Sequence, residues 1–439
     1  MSARGGFRIL RSAGLLLLVR RSLRQHALST CITALSVALA SGLVMAVFSV
    51  KQQTHEAFTG SSVGFDAVLG ARGSQLQLVL NTVFHLETSP GNIPWAMYQE
   101  IRKDPAVQLA IPYVVGDNYR GFRIVGTTEE LFTEFEYQEG RKFTLQPGGR
   151  LFDPTLQEAV IGSFVAQRTR LRVGSVFNPY HGITSDEGQR HAVNYVVVGV
   201  LEPTNSPSDR VLWIPLEGVF RMPGHWLRGS GKDFEAKGGE EIPDSEKEVS
   251  AVMLKFRSPQ AGFQLEQKFN RQGNKATLAW PIERSMLDLF DKIGWVDKVL
   301  TLVAYLVVAV SAGSILASIY NTMNERRREF AILRALGARR RTVFSAIVLE
   351  SGTIAAMGSI IGFIAYGVIL GIASAIVRAQ TGVVLDLWKA ASVQVTDTFS
   401  VSILVAAPLC MIAIGAAAGI VPALKAYQTD VASNLAPAS

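Results

Sequence analysis

Four stretches of this 439-residue chain contain no Asp, Glu, Lys or Arg: residues 27–50, 299–324, 351–377 and 399–424. Each is at least as long as the ~20 apolar residues an α-helix needs to cross the hydrocarbon core of a bilayer. Hydrophobic residues make up 48% of the whole, too few for a wholly embedded protein and too concentrated for a soluble one. The expected class is therefore an α-helical membrane protein with four transmembrane helices and a large extracytoplasmic α+β domain between the first and second.

Orientation follows from Lys and Arg near the span ends. Arg4, Arg8, Arg11, Arg20, Arg21 and Arg24 precede the first run, and Arg326, Arg327, Arg328, Arg334, Arg339, Arg340 and Arg341 lie between the second and third. The segment between the third and fourth offers only Arg378 and Lys389. Both termini and the Arg-dense segment are expected in the cytoplasm, and residues 51–298 on the far side of the membrane. The +7 net charge comes from arginines that flank spans. It implies anionic lipid as their partner and no nucleic acid. The apolar burst 14–19 is short and the first long run continues well beyond it, which reads as a retained anchor and not a cleaved signal. Residues 7–24 mix Leu and Ile with Arg, as in an amphipathic helix lying in the headgroup layer.

Within 51–298 the expected strands are 121–126, 158–162, 194–202, 211–215, 249–256 and 276–280, rich in Val, Ile and aromatics and bounded by Gly or Pro. Expected helices are 74–84, 94–103, 131–135 and 261–272. Residues 229–248 (GSGKDFEAKGGEEIPDSEKE) are charged and Gly-rich, and are expected to form a mobile loop separating two lobes.

The segment NERRREFAILRALGARRRTVFSAIVLES, residues 324–351, joins two spans through a compact hairpin. Phe330, Leu333 and Leu336 fall near one helical face, and Gly337 sits where a helix end takes a left-handed residue. Residues 326–338 and the following Glu350 strongly resemble the C-terminal permease domain of the FtsX/MacB/LolC superfamily of ABC transporters. The resemblance weakens at the basic lead-in (RRSLRQHALSTCITALSVALAS) and the tail GIVPALKAYQTDVASNL, and is diffuse over the domain.

That resemblance implies a permease subunit whose hairpin is a coupling helix for a cytoplasmic ABC ATPase, with Glu325, Arg328, Phe330, Leu333, Arg334, Leu336 and Gly337 at the contact. It implies a MacB-like external region with a base lobe and an inserted β-rich lobe, here residues 121–216. It also implies a membrane bundle that works as a lever, passing motion outward without conducting substrate. The expected segmentation is a lead-in helix (1–26), first helix (27–50), periplasmic domain (51–298), second helix (299–320), coupling hairpin (321–342), third helix (343–377), short periplasmic loop (378–398), fourth helix (399–424) and cytoplasmic tail (425–439). Four helices per chain imply a second permease copy, most simply a homodimer, and a periplasmic or outer-membrane protein is a further candidate partner. The alternative is an FtsX-like relay that switches an external partner and moves nothing.

Three pairs of glycines four apart, Gly358 with Gly362, Gly367 with Gly371 and Gly415 with Gly419, suit close helix packing within or between protomers. Glu350 lies about two turns beyond Arg341 and is read as a structural acid that snorkels or pairs with an arginine of the hairpin. No G-x-x-x-x-G-K-[ST] loop occurs, so ATP is assigned to a separate subunit and no cofactor is expected in the chain. No nucleophile or paired carboxylates suggest an enzyme. His181 and His191, with Asp186 and Glu187 between them, could catch a metal ion, but a solvated loop is the simpler reading, and metal-linked transport ranks last. Cys31 and Cys410 both fall in spans and cannot build a disulfide framework.

Overall fold

A computed structural model of the chain describes residues 3–59, 64–182, 190–236, 241–271, 273–396 and 399–428. Asp186, Glu187 and part of the charged 229–248 segment lie outside them. The chain divides into two units, one of residues 1–54, 294–374 and 385–439 and one of residues 55–293 and 375–384.

The first unit is helical. It holds α1 (Ala3–Gln25), α10 (Arg327–Ala335), α12 (Ile403–Ala418), α13 (Ile420–Gln428) and most of α2 (Ala27–Thr59), α9 (Ile282–Glu325) and α11 (Arg340–Thr381). Among the described residues, four stretches of helix are long and apolar enough to cross a membrane: 27–58, 282–325, 340–381 and 403–427. The core of the unit draws Ala34, Val37 and Ala40 from α2, Ile315 and Ile319 from α9, Ile347 and Ile354 from α11, and Met411 from α12. The segment after α11 carries a short hairpin, β13 (Ser392–Thr396) with β14 (Phe399–Ser402). Gln53 pins the preceding turn: its amide nitrogen donates to the carbonyls of Asp386 and Lys389 at 2.8 and 2.7 Å, and its oxygen accepts from Asp386 N–H.

The second unit is a mixed ten-stranded sheet. Its strands include β1 (Ala67–Ala71), β3 (Val107–Tyr119), β4 (Phe122–Thr127), β5 (Glu158–Ile161), β6 (Val176–Phe177), β7 (Tyr180–His181), β8 (Tyr195–Val200), β9 (Leu212–Pro215), β11 (Ala251–Phe256) and β12 (Ala276–Ala279). Spatial order is β12-β1-β11-β3-β4-β9-β5-β8-β6, with β7 also on β3. A separate two-stranded piece pairs β2 (Ile93–Pro94) with β10 (Glu248–Val249).

Successive strand residues alternate between two cores, as a period of two requires. Leu69, Ile124, Ile161, Leu212, Ile214, Val252 and Leu254 face one core. Val68, Val125, Val160, Trp213, Ala251 and Met253 face the other. The first core is closed by α4 (Trp95–Arg102), α6 (Ser163–Thr169), α7 (Leu216–Phe220) and α8 (Pro259–Phe269), the second by α3 (Gln75–Thr82) and α5 (Glu130–Thr133). Burial on both faces explains why these strands read as apolar runs.

One expectation is overturned here. The 229–248 segment does not divide two lobes, because the sheet is continuous through β3, whose first half pairs β11 and whose second half pairs β4. The described part of the segment folds back onto the domain: Leu227 bridges Phe234, and Ile242 is buried in the first core.

Candidate functional site

Two constellations stand out, one in each unit. In the helical unit, the chain breaks at Arg326 between α9 and α10, and Arg326 turns inward. Its Nη1 lies 3.5 Å from Glu350 Oε2 and also donates to Ser22 Oγ, which in turn donates to Glu350, while its Nε bonds Glu329 at 3.0 Å. Ser22, Arg326 and Glu350 are all buried. Glu350 thus meets an arginine of the hairpin, and α1, the α9–α10 junction and α11 are tied at one point. Helix α10 ends in a Schellman turn: Gly337 has φ +97°, its N–H donates to Arg334 O, and Ala338 N–H donates to Leu333 O, both at 3.0 Å.

The expected apolar face of this hairpin needs correction. Phe330 packs against the unit's own core with the Arg326 guanidinium 4.9 Å from its ring centre, so it does not lie on a free surface. Leu333 is half-buried, and the side chains presented outward are Leu336, 80% exposed, and Ile332, 44% exposed. Glu325 and Arg328 are exposed and Arg334 is half-buried. Ile332, four residues before Leu336, lies on the same side of the hairpin as Leu336.

The glycine pairs separate into two kinds. A Cβ at Gly358 would stand 2.5 Å from Val37 Cβ, and one at Gly362 3.0 Å from Ser41 Cβ, so both receive α2. Cβ atoms at Gly415 and Gly419 would stand 2.4 Å from Ala355 Cβ and 2.1 Å from Ser351 Oγ, so these pack α12 on α11. All four are used inside one protomer. Gly367 meets only Leu387, at 3.9 Å, and Gly371 meets nothing within 4 Å, so the packing expected of that pair is not found in the protomer.

In the α+β domain the sheet gathers Asp117, His181, His191 and His225. Strand β3 carries a bulge at Gly116, where its register against β4 shifts between Val115 and Asp117. Bulges bend a strand and re-aim the adjoining side chain. Asp117 lies directly opposite His181 across the β3–β7 pair, and Gly182 N–H donates to Gly116 O at 2.8 Å. His191 follows the return bridge of Arg190 to Tyr180, and His225 follows the turn after α7, its N–H bonded to Met222 O. Three ring nitrogens converge on Asp117 Oδ1: Nε2 of His191 and of His225 at 3.2 Å, and Nδ1 of His181 at 3.4 Å. Burial alone would raise the Asp117 carboxyl, but the imidazoles of His181, His191 and His225 set around it outweigh that and hold it well below the usual carboxylate range. The contact with Asp117 in turn raises the His181 imidazole.

The solvated-loop reading of His191 is therefore corrected: its side chain is 7% exposed and that of Asp117 2%, while His181, at 58%, keeps an open side. His225 and Asp117 gave no sequence signal, being far from the other two in the chain: strand pairing sets Asp117 opposite His181, and the turn after α7 brings in His225.

An α+β domain interposed between the first and second of four membrane-length helices, with an Arg-rich helical hairpin between the second and third, defines a multi-pass membrane permease. The family comparisons agree. Residues 30–271, more than half the chain, match the MacB-like periplasmic core domain, and residues 301–431 match the FtsX-like permease C-terminal domain. The chain belongs to the FtsX/MacB/LolC family of ABC transporter permeases. It is 25% identical over 197 residues to the macrolide export ATP-binding/permease protein MacB of Burkholderia thailandensis, covering 44% of this chain and 28% of that protein's length. Among solved structures, the periplasmic region of MacB from Actinobacillus actinomycetemcomitans aligns at 12% identity and TM-score 0.31, over 52% of this chain and 94% of that one. The extracellular domain of the noncanonic ABC-type transporter YknZ from Gram-positive bacteria aligns at 14% and 0.26, over 48% and 97%.

Proposed function

We propose that this permease transmits motion from an ABC ATPase, carried on a separate cytoplasmic subunit, to the α+β domain outside the inner membrane, driving export or extraction of a substrate. The observation that carries the reading is the α10 hairpin: a short helix, capped by the Gly337 turn, anchored by Arg326 to Glu350 and Ser22, and presenting Ile332 and Leu336 outward. Exposed apolar side chains among arginines suit the groove of a protein partner better than water. Anchoring matters because a loose loop would absorb a push, whereas α9 continues from the hairpin for 44 residues, ~66 Å at 1.5 Å per residue.

In this reading Arg328 and Arg334 flank the contact, the termini are cytoplasmic, and two permease copies assemble around a pair of ATPases. The test is copurification of the ATPase with the permease and measurement of permease-stimulated ATP hydrolysis in nanodiscs. Stimulation coupled to substrate movement supports transport. Stimulation that instead switches a bound hydrolase selects a signal relay, and an absence of any ATPase overturns both.

A further inference from the structure

We propose that Asp117, His181, His191 and His225 form a binding site for one divalent transition-metal ion of the zinc class. The proposal stands independently of the transport reading, since it rests on the α+β domain alone.

The first argument is geometric. The ligand atoms of the four residues all lie within 4.8 Å of one another, and three of the separations, those to Asp117 Oδ1, are 3.2, 3.2 and 3.4 Å. A tetrahedral ion with bonds of ~2.0–2.1 Å holds its ligands ~3.3–3.4 Å apart. The rings stand nearly perpendicular to one another, at 73–80°, with centroids 5.1–5.7 Å apart, as imidazoles directed at a common point do and stacked ones do not.

The second argument concerns protons. His191 Nδ1 faces the Pro223 carbonyl at 2.9 Å, and a carbonyl only accepts, so Nδ1 carries hydrogen. In the neutral ring Nε2 then presents a lone pair to a buried carboxylate oxygen 3.2 Å away. Two acceptors face each other there, an arrangement a cation between them resolves. Protons resolve it poorly, because one carboxylate oxygen has two lone pairs and three ring nitrogens converge on it. A ring whose far nitrogen is held by a backbone carbonyl is also the usual outer support of a metal-bound histidine.

The donor set selects the ion. Three imidazoles and one carboxylate suit zinc and its neighbours, whereas calcium and magnesium require oxygen shells and copper(I) prefers sulfur. Exposed His181 leaves one side open, so the ion exchanges with the surrounding medium.

The test uses the full chain in detergent, stripped with chelator and titrated with zinc against a competing zinc dye, then with cobalt(II) for its absorption spectrum. One zinc per chain and tetrahedral cobalt bands are expected. Asp117→Asn, His191→Ala and His181→Ala should each weaken zinc at least ~100-fold, because loss of an outer-shell partner alone costs 10–100-fold. His181 is exposed, so its variant keeps the fold even where the buried ones do not, and His55→Gln should bind as wild type. Stripped wild-type protein that binds neither ion more tightly than His181→Ala would overturn the proposal and leave a protonated hydrogen-bond cluster.

Discussion

Arg326 Nη1 lies 3.5 Å from Glu350 Oε2, with both side chains buried and the Ser22 hydroxyl joining each of them. Such a pair is weak evidence for added stability, since desolvation offsets much of the Coulomb attraction. Its value is positional: it fixes where the α9 helix stops and the hairpin starts.

Removing one partner should therefore cost more than removing both. Arg326→Met strands a buried carboxylate and is expected to destabilise the helical unit by ~3–5 kcal/mol. Arg326→Met with Glu350→Leu should recover most of that loss. Thermal unfolding of the four proteins of this cycle in detergent measures the coupling. Strictly additive losses would show that the two side chains do not act as a pair.

The glycines allow a second test, because two pairs pack inside the protomer and one does not. Leu at Gly358 or Gly415 would drive a Cβ to 2.5 Å from Val37 or 2.4 Å from Ala355. Overpacking of this kind costs ~1–3 kcal/mol or more, so both variants should lose monodisperse protein. Gly371→Leu meets no obstacle in the protomer and should fold. If the second copy docks on the Gly367–Gly371 face, native mass spectrometry will find that variant monomeric. A Gly371→Leu dimer as strong as wild type places that interface elsewhere.

His85 supplies a pH dependence. Desolvation first, then the charges of Arg123 and Arg210, lower its imidazole to about 3, and its ring stands edge-on to Trp213. The unfolded chain takes up this proton near pH 6.5 and the folded one only near 3, so stability falls as pH drops through that window, by ~1.4 kcal/mol per pH unit for one such group. Above pH 6.5 the group contributes no slope. His85→Asn removes the titration and suits the positive φ of 56° at this position. It should lower stability at neutral pH but flatten the acid limb. An unchanged acid slope in denaturant titrations between pH 6.5 and 4 would assign that limb to other groups.

The readability of the sequence varied with the range of the contacts involved. The charge-free runs and the 326–338 motif carry their meaning locally, and Glu158–Ile161, Tyr195–Val200 and Leu212–Pro215 were legible as apolar, β-branched stretches. Strand β3 was not, because Pro112 and Gly116 interrupt a run that tertiary pairing nonetheless extends from Val107 to Tyr119. The His and Asp cluster depends on that same strand, with Asp117 brought to His225 across 108 residues. Glycine spacing announced close packing but could not name the partner helix, and it gave the same signal for Gly367 and Gly371, which pack against almost nothing.

The hairpin gives the most discriminating prediction, since its apolar residues now fall into two groups. Ile332 and Leu336 point outward, whereas Phe330 lies under the Arg326 guanidinium and against the protomer's own core. If α10 fills a groove of the ATPase, Asp at 332 or 336 should cost ~2–4 kcal/mol of docking energy at a desolvated contact. That corresponds to one to three decades in affinity, with expression and thermal stability of the permease unchanged. Phe330→Asp would set a charge against that core and under the guanidinium, and should lower both folding and ATPase stimulation. The pattern across the three variants is what matters: copurification lost with stability intact for Ile332→Asp and Leu336→Asp, and both lost for Phe330→Asp. If the two outward variants stimulate ATP hydrolysis as wild type does, the motor docks elsewhere, and the Arg326–Glu350 anchor serves only to turn the chain between two membrane helices.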